Sequence, residues 1–216
     1  MKTILVSTSN PGKIKEIKAI LSDFEILPLK EAEARLGKTF VVTEEQDTFE
    51  GNALEKAECL FAQSNGEFYC LADDSGIEID CLDGFPGVKT ARWMPADDHT
   101  KNLELIKKVD AATSENPEAS TPTSAEADAA NAKTAPSRAC HYSTCMALIK
   151  PDGEKKTFTA TIDGQITRAP RGENGFGFDE IFELPSGKTL AEISMEEKNE
   201  FSPRRLALDQ IKAYFA

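Results

Sequence analysis

Residues 71–80 read LADDSGIEID, and the interpretation of the whole chain starts from them. A short apolar run ends in two adjacent aspartates, Asp73 and Asp74, and a second apolar run with strand-like alternation follows. Ser75 and Gly76, between the two runs, predict a tight turn. Paired carboxylates there can hold a hard divalent cation, or one of them can keep a raised pKa and accept a proton. An acidic surface turn without any function is the alternative interpretation.

Composition limits the class of protein. The 216 residues carry a formal net charge of -12, and 40% of them are hydrophobic, which predicts a soluble globular chain with a substantial core. No apolar run approaches the length of a membrane-spanning helix, so no membrane association is expected. The negative charge argues against binding to nucleic acid or to anionic membranes. An anionic ligand must therefore be bound by local cations or by a metal ion.

The cysteines indicate the compartment. Five cysteines form no Cys-x-x-Cys pair and leave an odd one over, which predicts reduced thiols in a cytoplasmic protein. The first ten residues lack the small-residue cleavage site of a signal peptide, and they are predicted to form a strand instead.

The N-terminal segment predicts a strand, a tight turn and a helix. Residues 2–8 are apolar and β-branched, and from Ile14 onward apolar residues recur at helical spacing. Asn10 suits an N-cap, and Pro11 suits the first helical position. The free N–H groups and the dipole of such a helix start can bind an anion, and Lys13 lies beside them. An ordinary turn with a solvated lysine explains these residues equally well.

The remaining elements follow from the spacing of apolar residues. Strands are predicted at 24–29, 139–149 and 156–167, with a hairpin turn at 150–153, an extended segment at 39–43, and helices at 49–63, 98–109 and 202–215. The inward face of the helix at 98–109 is assigned to Leu103, Ile106 and Val109. Residues 111–138 contain no large apolar side chain, which predicts a disordered insertion within a single domain spanning 1–216. Strands and helices do not alternate cleanly, so the predicted fold class is α/β with an elongated, mixed central sheet flanked by helices.

Three further segments contain residues suited to a ligand site. Glu44 precedes the helix at 49–63, where it either complements the helix dipole or serves as a metal ligand. The glycine-rich segment 172–179 places aromatic residues beside closely spaced glycines, which indicates either a backbone that lets a flat group approach or a structural loop. Arg204 opposes the dipole of the last helix, which indicates a bound anion or polar ligand, or else a salt bridge.

Six segments together resemble the inosine triphosphate pyrophosphatase family, the Ham1-like proteins, which hydrolyse non-standard purine nucleoside triphosphates. They are TSNPGK (8–13), TFEGNALEKA (48–57), ADDSGIEID (72–80), GFPGVKTARW (84–93), GFGFDEIF (175–182) and AEISMEEKNEFSPR (191–204). They occur in the family's order and span nearly the whole chain apart from 111–138. Each alone is a weak signal, but six in register make chance an implausible explanation.

The resemblance implies an enzyme and its chemistry. The family cuts triphosphates such as ITP, dITP and XTP between the α and β phosphates, giving the monophosphate and pyrophosphate with Mg²⁺, and so cleans the nucleotide pool. Asp74 is implied as the catalytic proton acceptor, and Glu44 and Asp74 as the ligands of Mg²⁺. Asp73 would support Asp74 by its position or by raising its neighbour's pKa.

The resemblance also implies a substrate site and an assembly. The residues implied to contact the nucleotide are Thr8, Ser9, Asn10, Pro11, Gly12, Lys13, Ser75, Phe176, Gly177, Phe178, Asp179, Lys198 and Arg204, with Phe178 stacking on the base. Asn52 and Lys56 are one helical turn apart and are expected to reach the phosphates. The family further implies two lobes with the nucleotide in the cleft between them, and a homodimer.

Pro203 departs from the family pattern, which has histidine between the serine and the arginine of Ser202-Pro203-Arg204. Proline suits the first helical position, so the fold should tolerate it. The hydrogen-bonding groups of an imidazole are lost, however, and we expect weaker or broader base selection.

Two alternative functions stay open. One is a Maf-like pyrophosphatase with different or broader base specificity, although the signature motifs of those proteins are not seen here. The other is a nucleotide-binding protein without catalysis, against which the presence of Lys13, Glu44 and Asp74 speaks.

Overall fold

The computed structural model describes residues 2–114 and 137–215. In these residues the strands are β1 (Thr3–Val6), β2 (Glu25–Pro28), β3 (Tyr69–Ile79), β4 (Ala139–Ile149), β5 (Lys155–Ile166) and β6 (Phe182–Glu183). The helices are α1 (Pro11–Ile20), α2 (Leu29–Leu36), α3 (Phe49–Gln63), α4 (Asp98–Ser114), α5 (Met195–Phe201) and α6 (Pro203–Phe215). The strands form one sheet in the order β2-β1-β3-β4-β5-β6. Because β1 pairs parallel with β2 and β3 while β5 pairs antiparallel with β6, the predicted mixed sheet of an α/β fold is confirmed.

The chain divides into two compact units. The first consists of Met1–Gly76, Ser143–Ile162 and Asn199–Ala216, and the second of Ile77–Tyr142 and Asp163–Lys198. Among the helices of the described residues, none has the length and apolar character that crossing a membrane requires.

Two hydrophobic layers cover the strands of the first unit. Leu71 packs into a layer with α1 and α6, whereas Ala72 packs into a layer with α2 and α3. Successive residues of a strand point to opposite faces of a sheet. Asp73 therefore continues the face of Leu71, and Asp74 continues the face of Ala72.

The turn predicted at Ser75 and Gly76 is wrong. β3 runs through both residues without interruption, from Tyr69 to Ile79. It lies between β1 and β4 in the sheet, so it has a hydrogen-bonded neighbour on each side. The pairs with β1 cover only Tyr69 to Leu71, so the extended course through Ser75 and Gly76 is attributed to the neighbour on the other edge, β4, which outweighs the local turn preference. The two aspartates consequently lie inside a central strand and not at the end of one.

Several local predictions from capping and periodicity are confirmed. α1 begins at Pro11 with Asn10 as its N-cap, and α3 and β4 have the predicted bounds. The start of α6 is also as predicted, because the Ser202 hydroxyl oxygen accepts the N–H of Arg205 at 3.1 Å. The turn at 150–153 joins β4 to β5, with the Gly153 N–H bonded to the carbonyl of Lys150 at 2.9 Å.

Two segments near the N-terminus lie outside the predicted helices and strands. α2 was not predicted, although Leu29, Ala32 and Leu36 recur at helical spacing, because the helix is only eight residues long and buries only Ala32. Residues 39–43, predicted as an extended segment, belong to no helix and no strand. The Gln63 side chain satisfies the backbone there, accepting the Val41 N–H at 2.9 Å and donating to the Val41 carbonyl at 2.7 Å.

The fourth helix also differs from its prediction. α4 extends to Ser114, so residues 111–114 are helical and do not belong to an insertion. Of the segment predicted to be a disordered insertion, 115–136 lie outside the described residues. The inward assignment is correct for Ile106 and Val109 but wrong for Leu103, which is exposed, and Leu105 is buried in its place.

A histidine between two carboxylates lies in the second unit. His141 of β4 has Nδ1 2.8 Å from Asp163 Oδ1 and Nε2 3.1 Å from Asp80 Oδ1. The hydrogen bond with Asp163 raises the pKa of His141 above its ordinary value, and the charge of Asp80 adds to this.

Candidate active site

Asp74 faces α3 from the middle of β3. Its Oδ1 accepts a hydrogen bond from Lys56 Nζ at 3.0 Å, and its Oδ2 accepts one from Asn52 Nδ2 at 3.1 Å. Asn52 and Lys56 are four residues apart on α3 and so present both donors to one carboxylate. Lys56 Nζ also donates to Glu44 Oε1 at 2.7 Å, which adds a second carboxylate to this polar group.

Burial is the largest influence on the proton affinity of Asp74. It raises the pKa of Asp74, and Glu44 adds to the rise, whereas the hydrogen bonds from Lys56 and Asn52 act against it. Burial also acts to lower the pKa of Lys56, but its carboxylate neighbours outweigh it, and the pKa of Lys56 is raised. A charged ammonium therefore lies beside a carboxylate with increased proton affinity. Such a carboxylate is suited to take a proton from water.

Asp73 has the opposite environment because it faces α1 and α6. Its Oδ2 lies 2.6 Å from Lys13 Nζ and 3.5 Å from Arg204 Nη2. Burial opposes ionisation of this carboxyl, but the two cations outweigh it and hold the pKa of Asp73 well below its usual range. Asp73 is thus a permanently charged anchor for Lys13. The raised pKa of Asp74 comes chiefly from burial and not from Asp73, so of the two predicted ways in which Asp73 supports Asp74 only support by position stays a prediction.

Arg204 is held by a carboxylate that sequence reasoning missed. Its Nη1 donates to Glu16 Oε2 at 2.9 Å, and Ser202 Oγ donates to Glu16 Oε1 at 2.7 Å. Nη2 of Arg204 lies 3.4 Å from Ser75 Oγ. This buried salt bridge explains how an arginine is accommodated in the first turn of α6. The only sequence signal for Glu16 was its place one helical turn after Lys13, on the same face of α1.

Residues 8–13 form the predicted turn from strand to helix. Asn10 Oδ1 accepts the N–H groups of Gly12 at 2.9 Å and Lys13 at 3.3 Å, and Thr8 Oγ1 accepts the N–H of Asn10 at 3.1 Å. These N–H groups at the helix start are therefore already paired by the cap. The charge that this turn offers to a phosphate is the ammonium of Lys13.

The glycine-rich loop 172–179 lies in the second unit. Asp179 Oδ2 accepts hydrogen bonds from Lys198 Nζ at 2.5 Å and from the Phe176 N–H at 2.9 Å, and the Lys198 ammonium lies 4.9 Å from the centre of the Phe176 ring. Gly175 has a φ of +84°, and a Cβ there would lie 2.0 Å from Asp179 Oδ2, so only glycine fits. The loop borders a cavity of about 320 Å³.

The predicted site residues thus fall into two groups. The first unit contains the two aspartates, the turn before α1 and their partners: Thr8, Ser9, Asn10, Pro11, Gly12, Lys13, Glu44, Asn52, Lys56, Asp73, Asp74, Ser75, Pro203 and Arg204. The second unit contains the glycine-rich loop and its lysine: Phe176, Gly177, Phe178, Asp179 and Lys198.

The two predicted metal ligands bind the same ammonium group. Glu44 Oε1 and Asp74 Oδ1 lie 2.7 Å and 3.0 Å from the same atom, Lys56 Nζ. Among residues 2–114 and 137–215, no cluster of three or more His, Cys, Asp or Glu side chains could hold a metal ion. A pair of carboxylates nevertheless fits Mg²⁺, which keeps several waters and is completed by substrate phosphates.

Comparison with known proteins identifies the family of the chain. The family model described as the Ham1 family matches residues 4–214. The chain belongs to the Ham1 family. The family resemblance inferred from the six segments is thereby confirmed.

Individual Ham1-family relatives match along nearly their full length. A curated dITP/XTP pyrophosphatase of Symbiobacterium thermophilum is 34% identical over 96% of this chain and 91% of its own. One of Leuconostoc mesenteroides subsp. mesenteroides, with the same name, is 34% identical over 96% of this chain and 94% of its own. The solved structure of the Staphylococcus aureus Ham1 protein has a TM-score of 0.78 and 31% identity, covering 99% of this chain and 98% of that chain.

Proposed function

We propose that this Ham1-family chain is a nucleoside triphosphate pyrophosphatase acting on non-standard purine nucleotides such as dITP, XTP and ITP. The observation that carries the proposal is Asp74, a buried carboxylate with a raised pKa that Asn52 and Lys56 hold in place. The two curated relatives named dITP/XTP pyrophosphatase support the substrate class.

The chemistry assigned to Asp74 is general base catalysis. A water molecule beside its carboxylate attacks one of the two phosphorus atoms that the oxygen between the α and β phosphates joins. Asp74 accepts one proton of that water. One P–O bond forms, the bridging P–O bond breaks, and the monophosphate and pyrophosphate separate. Asn52 and Lys56 keep the carboxylate oriented throughout, and the Lys56 ammonium stabilises negative charge that develops nearby.

The charge balance of the first unit favours a divalent cation as cofactor. The salt bridges around Asp73 and those around Asp74 together contain three cations and four carboxylates, a net charge of -1 when all are ionised: Lys13, Lys56 and Arg204 against Glu16, Glu44, Asp73 and Asp74. A triphosphate needs additional positive charge to bind there. Glu44 and Asp74 are the residues that would hold Mg²⁺, which would supply positive charge to neutralise the phosphates.

The remaining residues are assigned to substrate binding. Lys13 offers its ammonium to a phosphate oxygen. In the second unit the glycine-rich loop 172–179 offers the aromatic ring of Phe178 for stacking on the base, and Asp179 and Lys198 offer polar contacts. We also infer that the chain acts in the cytoplasm, since all five cysteines are free thiols, and the homodimer stays a prediction.

Pyrophosphate release tests the proposal directly. The wild type and an Asp74→Asn variant are assayed with dITP, XTP, ITP, dATP, dGTP and pyrimidine triphosphates, with Mg²⁺ and with EDTA. We expect wild-type release from the first three substrates, its loss in EDTA, and a fall in kcat of roughly 10²–10⁴-fold for Asp74→Asn. An Asp23→Asn variant at an exposed position is the matched control and should keep wild-type activity.

Two outcomes would favour the alternatives. Binding of dITP by calorimetry without any pyrophosphate release would favour a nucleotide-binding protein without catalysis. Preferential hydrolysis of pyrimidine triphosphates would favour the Maf-like specificity.

A further inference from the structure

Two side chains near the start of α4 bind the backbone of one residue of the glycine-rich loop. Asp98 Oδ2 accepts the Gly177 N–H at 2.9 Å, and Asn102 Nδ2 donates to the Gly177 carbonyl at 2.8 Å. Asp98 and Asn102 are four residues apart and so lie on the same face of the helix. The backbone donor and the backbone acceptor of Gly177 are therefore both held by α4.

Asn102 is the more deeply embedded of the two residues. It is 0% exposed, and its amide nitrogen donates a second hydrogen bond to Glu180 Oε1 at 2.8 Å. His99 Nδ1 lies 2.9 Å from the same Glu180 oxygen. Removing the Asn102 amide takes a donor from the Gly177 carbonyl and from the Glu180 carboxylate together, so the loop loses support at two points.

Gly177 precedes Phe178, the residue whose ring is assigned to stacking on the base, so the hydrogen bonds to Gly177 bear on base binding. Gly177 has a φ of +65° and lies between the half-buried aromatic residues Phe176 and Phe178. The Phe176 N–H is bonded to Asp179, so the loop is held at this second place too. The dihedral angles of Gly177 set the relative directions of the two ring-bearing residues.

We propose that Asp98 and Asn102 are positioning residues for the nucleobase, acting through Gly177 on the aromatic rings of the loop. The inference rests on the proposed function, since it takes loop 172–179 as the part that binds the base. Neither residue lies in the six segments that carry the family resemblance.

Four variants separate positioning from general damage. Asn102→Ala and Asp98→Ala remove the two contacts with Gly177. Asp98→Asn keeps an oxygen that can accept the Gly177 N–H, and it should rescue the function lost in Asp98→Ala. Asp97→Ala is the matched control, because Asp97 Oδ1 caps the same helix through the Thr100 N–H at 2.8 Å.

The readouts compare a ligand with a base and a ligand without one. KM and kcat are measured for dITP, and inorganic tripolyphosphate serves as a competitive inhibitor that has no base. We expect Asn102→Ala and Asp98→Ala to raise KM for dITP roughly tenfold with kcat within about twofold, the signature of lost ground-state binding. The Ki of tripolyphosphate should stay at the wild-type value, and Asp97→Ala and Asp98→Asn should resemble the wild type.

Amide hydrogen exchange gives a readout that does not depend on activity. Exchange of a peptide covering 172–182 should become faster in Asn102→Ala and Asp98→Ala but not in Asp97→Ala. Faster exchange with an unchanged KM for dITP would overturn the proposal. A parallel rise in KM and in the Ki of tripolyphosphate would also overturn it, because the damage would then extend beyond base binding.

Failure of the proposed function gives a different pattern. A wild type that releases no pyrophosphate from any purine triphosphate would refute the enzyme. Calorimetric binding of dITP to the wild type and the variants would then replace KM. Weaker binding of dITP by Asn102→Ala, or by both Asn102→Ala and Asp98→Ala, supports the positioning role. Equal binding of dITP by all variants refutes it.

Discussion

The Asp73→Asn substitution should remove a large part of the stability of the first unit. Asparagine keeps the size of the side chain but removes the charge that lies 2.6 Å from Lys13 and 3.5 Å from Arg204. Deleting one partner of a buried ion pair costs about 3–5 kcal/mol. Arg204 keeps Glu16 at 2.9 Å, and the Lys13 side chain is 20% exposed and can turn to water, so we expect the lower end, about 3 kcal/mol.

The pH dependence of this loss has a defined sign. The pKa of Asp73 is depressed in the folded protein, so its stabilising contribution is present above the ordinary aspartate value of about 4. The contribution is lost as the pH falls through the folded value. The difference in stability between the wild type and Asp73→Asn should therefore be full at pH 7 and should shrink below about pH 4.

The neighbouring aspartate provides the matched control. Urea unfolding is followed by circular dichroism in EDTA, for the wild type, Asp73→Asn and Asp74→Asn. Because the fold raises the pKa of Asp74, its ionised form is disfavoured by folding, and Asp74→Asn should leave the unfolding free energy at pH 7 unchanged or increase it. A loss below about 1 kcal/mol for Asp73→Asn, or equal losses for both variants, would refute the electrostatic assignment.

Three further predictions concern other positions. His141→Gln should lower stability by up to about 1 kcal/mol at pH 5 and have little effect at pH 9, because a raised histidine pKa stabilises only while the ring is protonated; thermal melts at the two pH values check this. Gly175→Ala should raise KM for dITP more than Gly187→Ala, since both have positive φ but only the first meets a side chain, that of Asp179, and equal effects would contradict the clash. Pro203→His should increase the ratio of kcat/KM for ITP to that for dATP, and an unchanged ratio would show that proline does not relax base selection.

The parts of the fold that were predictable depend on local signals. The Asn10 cap, the proline after it and the bounds of α3 follow from residues within a few positions of one another. The placement of Asn52 and Lys56 one helical turn apart on α3 was likewise predictable from their spacing. The expectation that both reach the phosphates came from the family resemblance, and their hydrogen bonds with Asp74 were not predicted.

The parts that were not predictable depend on contacts between distant residues. Glu16 and Arg204 are separated by 188 positions, and no local pattern links an acid on α1 to the start of α6. The uninterrupted course of β3 through Ser75 likewise depends on its neighbours in the sheet. The hold of Asn102 on Gly177 joins residues 75 positions apart.

The alternation of a strand explains why two adjacent aspartates have different roles. Asp73 and Asp74 point to opposite faces of β3, so each is surrounded by its own set of cations. Asp73 has two cations, and this matters when a substrate arrives. If Lys13 turns toward a phosphate oxygen, Asp73 keeps the Arg204 guanidinium at 3.5 Å. Lys13 can therefore bind the substrate without leaving the buried Asp73 carboxylate unpaired. Asp74, on the other face, keeps its raised pKa.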